Sequence, residues 1–324
     1  MNKKAKNILY TLRYPCILAV VMLVLTLLKP GVFNTWGNFS GILWAVAVIG
    51  IMTTGTICVI LLGGIDLAVG SVSCLSGIIL VFTIMNNGYT TQSVVMGCAL
   101  ALLTGAAIGM IHGVLVTAFA VPAFLITMAS QTVINGVAIA LTGGETFGLL
   151  KPDAFLAIGT GYMPIGIMLV MAAISYFILN HTVYGRELYA VGGNPEASDL
   201  SGIRSKLVTV MAYTFSGLTA SLGGIVLSSK VQQASSLMAR GYEMDVLTAI
   251  VVGGTSLFGG EGTIQGALFG ALLVGLINNG LTLMDAPTTY HSVAKGIVIV
   301  TAVAIDFYAK SEKKAKKQKR LPAQ

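Results

Sequence analysis

Apolar runs of about 20 residues recur along the whole chain, and each is long enough to cross a bilayer as a helix. Of the 324 residues, 55% are hydrophobic and only 10% are charged, whereas a soluble domain carries about 25% charged residues. The residue-by-residue alternation of a membrane barrel is absent from the sequence. The 39 glycines are set in the apolar runs, where small residues let helix backbones approach closely. We therefore predict an all-α polytopic membrane protein.

Ten stretches have the length and composition of membrane-spanning helices. We place them near residues 14–28, 41–62, 67–85, 93–118, 123–142, 162–180, 207–228, 244–258, 262–281 and 291–309. The even number puts both chain ends on one side of the membrane. The ten helices form one transmembrane domain, residues 1–310, and the charged tail that follows, residues 311–324, is predicted to be disordered.

The basic residues indicate which side each segment faces. Fourteen of the 19 lie before the first span, in residues 181–206, or after the last span. Because cytoplasmic segments are enriched in Lys and Arg, we predict that both termini and residues 181–206 are cytoplasmic. The connecting segments predicted on the outer face are residues 29–40, 86–92, 143–161, 229–243 and 282–290.

Two apolar segments are interrupted by glycine pairs in a similar context. Residues 60–67 (ILLGGIDL) resemble residues 250–257 (IVVGGTSL), and each is followed later by Asn-Asn-Gly, at 86–88 and at 278–280. The likeness is either an internal repeat or partly chance. Paired interruptions in a transporter point to discontinuous helices beside a pathway, so we predict helix breaks at Gly63 and Gly64 and at Gly253 and Gly254.

Several polar residues occur at apparent membrane depth. Asp66 either lines a pathway or caps the helix that opens near Leu67, and a broken helix beside a pathway would make both true. The other polar residues at depth are Gln131, Asn135, Thr255, Ser256, Asn278 and Asn279. They either form hydrogen bonds between helices or line the pathway.

Residues 181–206 form the longest internal polar segment. Asn194 is a good N-cap, Pro195 suits the first helical position, Glu196 favours the positive end of the helix dipole and Gly202 fits the position after the helix. A helix of two turns is not stable alone in water, so it must pack on something. It is either an ordinary loop lying on its own helix ends or a coupling helix that docks into a partner.

Several motifs, in order along the chain, resemble the ribose-type permeases of ABC (ATP-binding cassette) monosaccharide importers. They are GGIDLAVGS at 63–71, GVLVT at 113–117, GRELYAVGGNPEA at 185–197 with LSGI at 200–203, GYEMD at 241–245, GGTSL at 253–257 and NNGL at 278–281. The chain departs from the family pattern at Ala123, where a second Pro often follows Pro122, and at Asn135, where an Arg often precedes Gly136.

The resemblance implies a permease subunit in a bacterial cytoplasmic membrane, paired with a second copy or a close paralogue. A separate cytosolic ABC ATPase, using ATP and Mg²⁺, would dock on residues 181–206, and an extracytoplasmic binding protein would deliver a pentose, hexose or related polyol. The residues expected to couple to the ATPase are Gly192, Gly193, Asn194, Pro195, Glu196, Ala197, Ser201 and Gly202. Lys230, Arg240, Glu243 and Asp245 are expected either to pair with the binding protein or to form a solvated loop.

Enzymatic chemistry has little support in the sequence. No G-x-x-x-x-G-K-[ST] motif occurs, so ATP hydrolysis is expected in the partner. The histidines are far apart and the cysteines lack metal-ligand spacing, so we predict no catalytic residue, metal or bound cofactor. Two alternatives remain open: a secondary transporter of a small polar solute driven by an ion gradient, and a membrane scaffold subunit that transports nothing.

Overall fold

The computed structural model describes the backbone of residues 3–119 and 121–318. It describes the side chains of residues 16–307 apart from Ala120, Thr288, Ala302, Ile305 and Asp306. The helices are α1 (Lys3–Leu28), α2 (Trp36–Leu61), α3 (Val69–Asn86), α4 (Thr91–Phe119), α5 (Ala123–Thr142), α6 (Asp153–Gly159), α7 (Met163–His181), α8 (Val183–Gly193), α9 (Pro195–Leu200), α10 (Ser205–Val231), α11 (Tyr242–Val252), α12 (Ile264–Leu283) and α13 (Thr288–Gln318).

Seven of the described helices are long and apolar enough to cross a membrane: α2, α3, α4, α5, α7, α10 and α12. This confirms the predicted all-α polytopic architecture. The described apolar part of α1 is shorter, Cys16–Leu28. Helix α11 has 11 residues and is about 16 Å long, so the span predicted at 244–258 is not one continuous membrane-crossing helix.

Helix α10 lies at the centre of the bundle and packs on α2, α3 and α4. Glycines bring the backbones of α4 and α10 into direct contact. A Cβ on Gly105 would overlap the Gly217 carbonyl oxygen, and a Cβ on Gly109 would overlap the Tyr213 carbonyl oxygen. Small residues permit this approach, and α4 and α10 therefore meet along a glycine-lined seam.

Helices α7 and α10 define the two ends of the bundle. Residues 181–206 join them at one end, here called the polar end. At the other end, the strand end, β1 (Phe147–Gly148) pairs antiparallel with β2 (Gln233–Ala234). The sequence analysis missed both strands and α6, but it correctly assigned residues 143–161 and 229–243 to one face.

Helix α13 continues beyond the predicted end of the last span and is helical to Gln318. The predicted tail, residues 311–324, is therefore helical over its described part, and residues 319–324 lie outside the described residues.

Candidate functional site

Helix α9 at the polar end has the termini that the sequence predicts. The Asn194 side chain accepts a hydrogen bond from the Ala197 N–H at 3.1 Å. At the other end, the Ile203 N–H donates to the Ser198 carbonyl at 3.1 Å, and Gly202 adopts φ +84°, a backbone conformation that favours glycine. These contacts confirm the predicted N-cap and the glycine after the helix.

Most of α9 faces solvent. Ser198 is its one buried residue, whereas the Leu200 side chain is 92% exposed. A single exposed apolar residue is common on protein surfaces, so Leu200 adds apolar area to this face but does not by itself identify a docking site. The sequence analysis did not include Leu200 among the coupling residues, although an apolar residue between Asp199 and Ser201 was a visible signal.

Helix α8 connects α9 to the interior of the bundle, and the sequence analysis did not predict it. Its start is capped by Thr182, whose hydroxyl accepts from the Gly185 N–H at 3.1 Å. Leu188 and Val191 are buried. The Tyr189 hydroxyl donates to the Gly262 carbonyl at 2.9 Å, so α8 is fixed to the loop between α11 and α12.

The two predicted helix breaks meet at the end of α8. The second break is the non-helical segment 253–263, between α11 and α12. Helix α2 ends at Leu61, and the Leu61 carbonyl accepts from the Gly260 N–H of the second break at 2.8 Å. Gly192 lies directly on this contact: an added Cβ would overlap the Leu61 carbonyl oxygen and lie 2.8 Å from the Gly260 nitrogen. We call Leu61, Gly192 and Gly260 the backbone junction. It links the polar end to both breaks.

The first break, residues 62–68, is a non-helical segment that contains Asp66. Asp66 Oδ1 accepts from the Ala68 N–H at 3.0 Å, and Oδ2 accepts from the Ser216 hydroxyl at 2.9 Å. Helix α3 starts at Val69, two residues after the predicted position. The N-cap of α3 is Ala68, and no side chain caps this helix, so the capping interpretation of Asp66 is wrong: its bond to the Ala68 N–H lies before the helix. With 6% of its surface exposed, Asp66 is an interior hydrogen-bond acceptor.

Thr127 of α5 fixes the first break to α5 through two hydrogen bonds. Its hydroxyl donates to the Ile65 carbonyl at 3.0 Å and accepts from the Leu67 N–H at 3.2 Å. Thr127 is fully buried. One hydroxyl therefore satisfies two backbone groups that the break leaves without helical partners.

We expect Thr127→Val to destabilise the protein by about 1–3 kcal/mol, because valine keeps the shape but leaves buried backbone groups unsatisfied. Thr127→Ser should cost less, and Thr132→Val should be nearly neutral, because the exposed Thr132 hydroxyl donates only to the Met128 carbonyl. Thermal unfolding of the purified protein in detergent checks this order. Equal melting temperatures for Thr127→Val and Thr132→Val would contradict it.

A separate non-helical segment, residues 235–241, precedes α11 near the strand end. Residues 235–241 run beside α3: the Ser235 carbonyl accepts from Cys74 Sγ at 3.3 Å, and a Cβ on Gly70 would overlap the Glu243 carboxylate. Gly70 is close in sequence to Asp66, which is hydrogen-bonded to Ser216 of α10. Ser216 is eleven residues after the first residue of α10, which is about 16 Å along the helix axis. Glu243 therefore lies near the middle of the bundle.

This position changes the interpretation of the charges predicted to dock a binding protein. Asp245 is buried, with an ion pair to Lys295 Nζ at 2.7 Å and a hydrogen bond from Asn278 Nδ2 at 3.2 Å. Asp245 and Glu243 therefore do not lie on the outer surface, which corrects that expectation. Lys230 is at the strand end, 5.9 Å from the centre of the Trp44 ring.

The other polar residues predicted at depth have different surroundings. Asn279 and Asn38 exchange side-chain hydrogen bonds at 2.7 and 3.2 Å, which fits hydrogen bonding between helices. Thr255 and Ser256 are buried in the second break. On α5, Gln131 is half-buried and hydrogen-bonded to Glu243, whereas Asn135 is exposed.

The two Asn-Asn-Gly sequences, which are alike in the chain, have different secondary structures. Residues 86–88 end α3, whereas residues 278–280 lie inside α12. The glycine pairs, by contrast, both follow the end of a helix, since α2 ends at Leu61 and α11 at Val252.

Comparison with known proteins assigns the family. The family model described as branched-chain amino acid transport system / permease component matches residues 38–303. The chain belongs to this permease family. No solved structure matches it.

Relatives of this permease cover most of its length. It is 36% identical to a ribose import permease protein of Haemophilus influenzae, over 91% of this chain and 93% of the relative. It is 31% identical to an L-arabinose ABC transporter permease protein of Azospirillum brasilense, over 92% and 88%. It is 34% identical to a fructose import permease protein of Rhizobium meliloti, over 90% and 85%.

Proposed function

We propose that this permease is the membrane-spanning subunit of an ATP-driven importer of a monosaccharide. The names of the relatives support a pentose or hexose as the transported solute. The position of α9 is the observation that supports coupling of this subunit to a separate ATPase. Helix α9 is exposed at the polar end, and the adjoining α8 touches both helix breaks.

The proposed assembly rests on the family and on the names of the relatives. Two permease subunits, identical or closely paralogous, form the pathway in a bacterial cytoplasmic membrane, each with ten membrane-embedded segments and cytoplasmic termini. A separate ABC ATPase binds and hydrolyses ATP with Mg²⁺ and docks on residues 181–206, while an extracytoplasmic binding protein delivers the sugar. The permease itself supplies no catalytic residue.

The mechanism is alternating access. Closure of the ATPase dimer displaces α9, and α8 passes the displacement to the backbone junction. Because the junction joins the end of α2 to the loop before α12, both broken spans respond to one movement. The non-helical segments are where the chain can bend with least disruption of helical hydrogen bonds.

The test is co-purification of the native chain from gently solubilised host membranes. We expect a roughly stoichiometric ATPase with the wild type and at least a tenfold loss when Asn194, Pro195 and Glu196 are all changed to Ala. Leu200→Ser alone should weaken the complex by less than the triple variant, because it removes only the apolar area that one exposed side chain can bury against a partner.

Thr132→Val, distant in sequence from the polar end, is the control and should retain the ATPase. The proposal fails if the wild type brings down no ATPase under conditions that preserve a known ABC complex. Uptake that persists without ATP and collapses with a protonophore would instead support an ion-gradient transporter.

A further inference from the structure

A cavity of about 200 Å³ lies where the two broken spans meet α5. Its floor is the first turn of α3, and its walls come from residues 236–240, from the first turn of α11 and from one face of α5. The polar side chains that line it are Ser71, Gln131, Asn135, Ser236, Arg240 and Glu243. Residues predicted from sequence for two separate roles, pathway lining and protein docking, therefore share one site.

The cavity lies near the middle of the bundle. Glu243 sits over Gly70, where any larger residue would displace its carboxylate. The Gln131 side chain hydrogen-bonds to Glu243, which fixes the carboxylate on the α5 side. Discontinuous helices near the bilayer midplane are a common place for a transported solute to bind.

The lining has the chemistry of a site for a neutral polyol. One carboxylate, Glu243, and one guanidinium, Arg240, balance each other, so neither an anion nor a cation is favoured. The amides and hydroxyls offer both donors and acceptors, as sugar hydroxyls require. The Asn135 and Arg240 side chains are both exposed, so both can be reached by a ligand.

We propose that this cavity is a monosaccharide subsite of the permease itself, in which Glu243, Gln131, Asn135 and Arg240 contact sugar hydroxyls. This assigns Arg240 and Glu243 to substrate contact, in place of the docking role expected from sequence. The inference rests on the proposed function for its ligand class. A cavity of this size has room for roughly seven waters, at about 30 Å³ each, which suits one small sugar.

A direct binding measurement on the full-length chain in lipid nanodiscs tests the subsite without ATPase or binding protein. Saturation-transfer NMR is recorded with D-ribose, L-arabinose and D-fructose at millimolar concentration. We expect a signal for at least one sugar, reduced at least fivefold by Asn135→Ala and by Glu243→Gln and retained by Thr132→Val. A sugar acid of the same carbon number should give a weaker signal with the wild type.

Uptake of the same sugars by host cells carrying each variant distinguishes failure of the proposed subsite from failure of the proposed function. Loss of uptake in Asn135→Ala and Glu243→Gln, with normal amounts of monodisperse protein, should accompany the loss of NMR signal. No NMR signal for the wild type, or signals unchanged in both variants, would overturn the subsite. Reduced uptake with unchanged NMR signals would also overturn it and would indicate docking or gating. If the wild type imports none of these sugars, the proposed function fails, and the NMR result still decides whether the cavity binds a polyol.

Discussion

Gly192→Ala is expected to reduce sugar uptake at least tenfold, while Gly193→Ala, one residue further along α8, is expected to leave it close to wild type. A Cβ on Gly192 would overlap the Leu61 carbonyl oxygen, which is backbone and cannot rotate away. The end of α8 must then withdraw from the backbone junction. Overpacking of this kind typically costs about 1–3 kcal/mol.

Gly193 is a close control because both glycines belong to α8 and no atom lies within 4 Å of a Cβ at Gly193. Gly193 is the last residue of α8, where helix propensity matters less than in the interior, so Gly193→Ala should be close to neutral. Uptake by host cells is measured together with co-purification of the ATPase. We expect Gly192→Ala to retain the ATPase, since the exposed surface of α9 is unchanged, and thus to separate docking from transport. Similar uptake in the two variants would refute the role of the junction.

Lys295→Met is expected to destabilise the protein by about 3–5 kcal/mol, because it leaves Asp245 buried without its ion-pair partner. The Asp245 side chain is 6% exposed and that of Lys295 19%. The remaining hydrogen bond from Asn278 does not neutralise the charge. The melting temperature in detergent and the yield of monodisperse protein should both fall.

A double-mutant cycle tests whether loss of the Asp245–Lys295 ion pair causes the expected destabilisation. Asp245→Asn with Lys295→Met removes both charges and should recover most of the lost stability, since replacing a buried pair by neutral groups is often close to neutral. Asp245→Asn alone should cost less than Lys295→Met, because the longer lysine can move its ammonium toward water. If the double variant is as unstable as Lys295→Met, the loss has another origin, such as packing of the lysine stem.

The features predicted correctly from sequence depend on local chemistry. Asn194 and Pro195 specify the start of α9 through their own backbone and side-chain preferences. The glycine pairs at 63–64 and 253–254 follow helix ends, as predicted, whereas Gly223 and Gly224 lie inside α10. None of these inferences required knowledge of which helices are neighbours.

The features that were missed depend on tertiary contacts. The span predicted at 244–258 contains most of α11, which ends at Val252, followed by non-helical residues, and the non-helical segment before α11 packs on α3 through contacts that the sequence does not show. Lys295 is 50 residues from Asp245, so the sequence alone did not pair them. For the same reason Glu243 was assigned to the surface, although its carboxylate packs on Gly70 of α3.

The glycine-lined seam between α4 and α10 has a consequence for how force travels through the permease. Helix α10 begins a few residues after α9, so a displacement of α9 is transmitted almost directly to the first turn of α10. Where two helices touch through backbone atoms, no flexible side chains lie between them to absorb displacement. On the proposed mechanism, helices α4 and α10 therefore move together as a rigid pair. The chain bends at the two helix breaks instead.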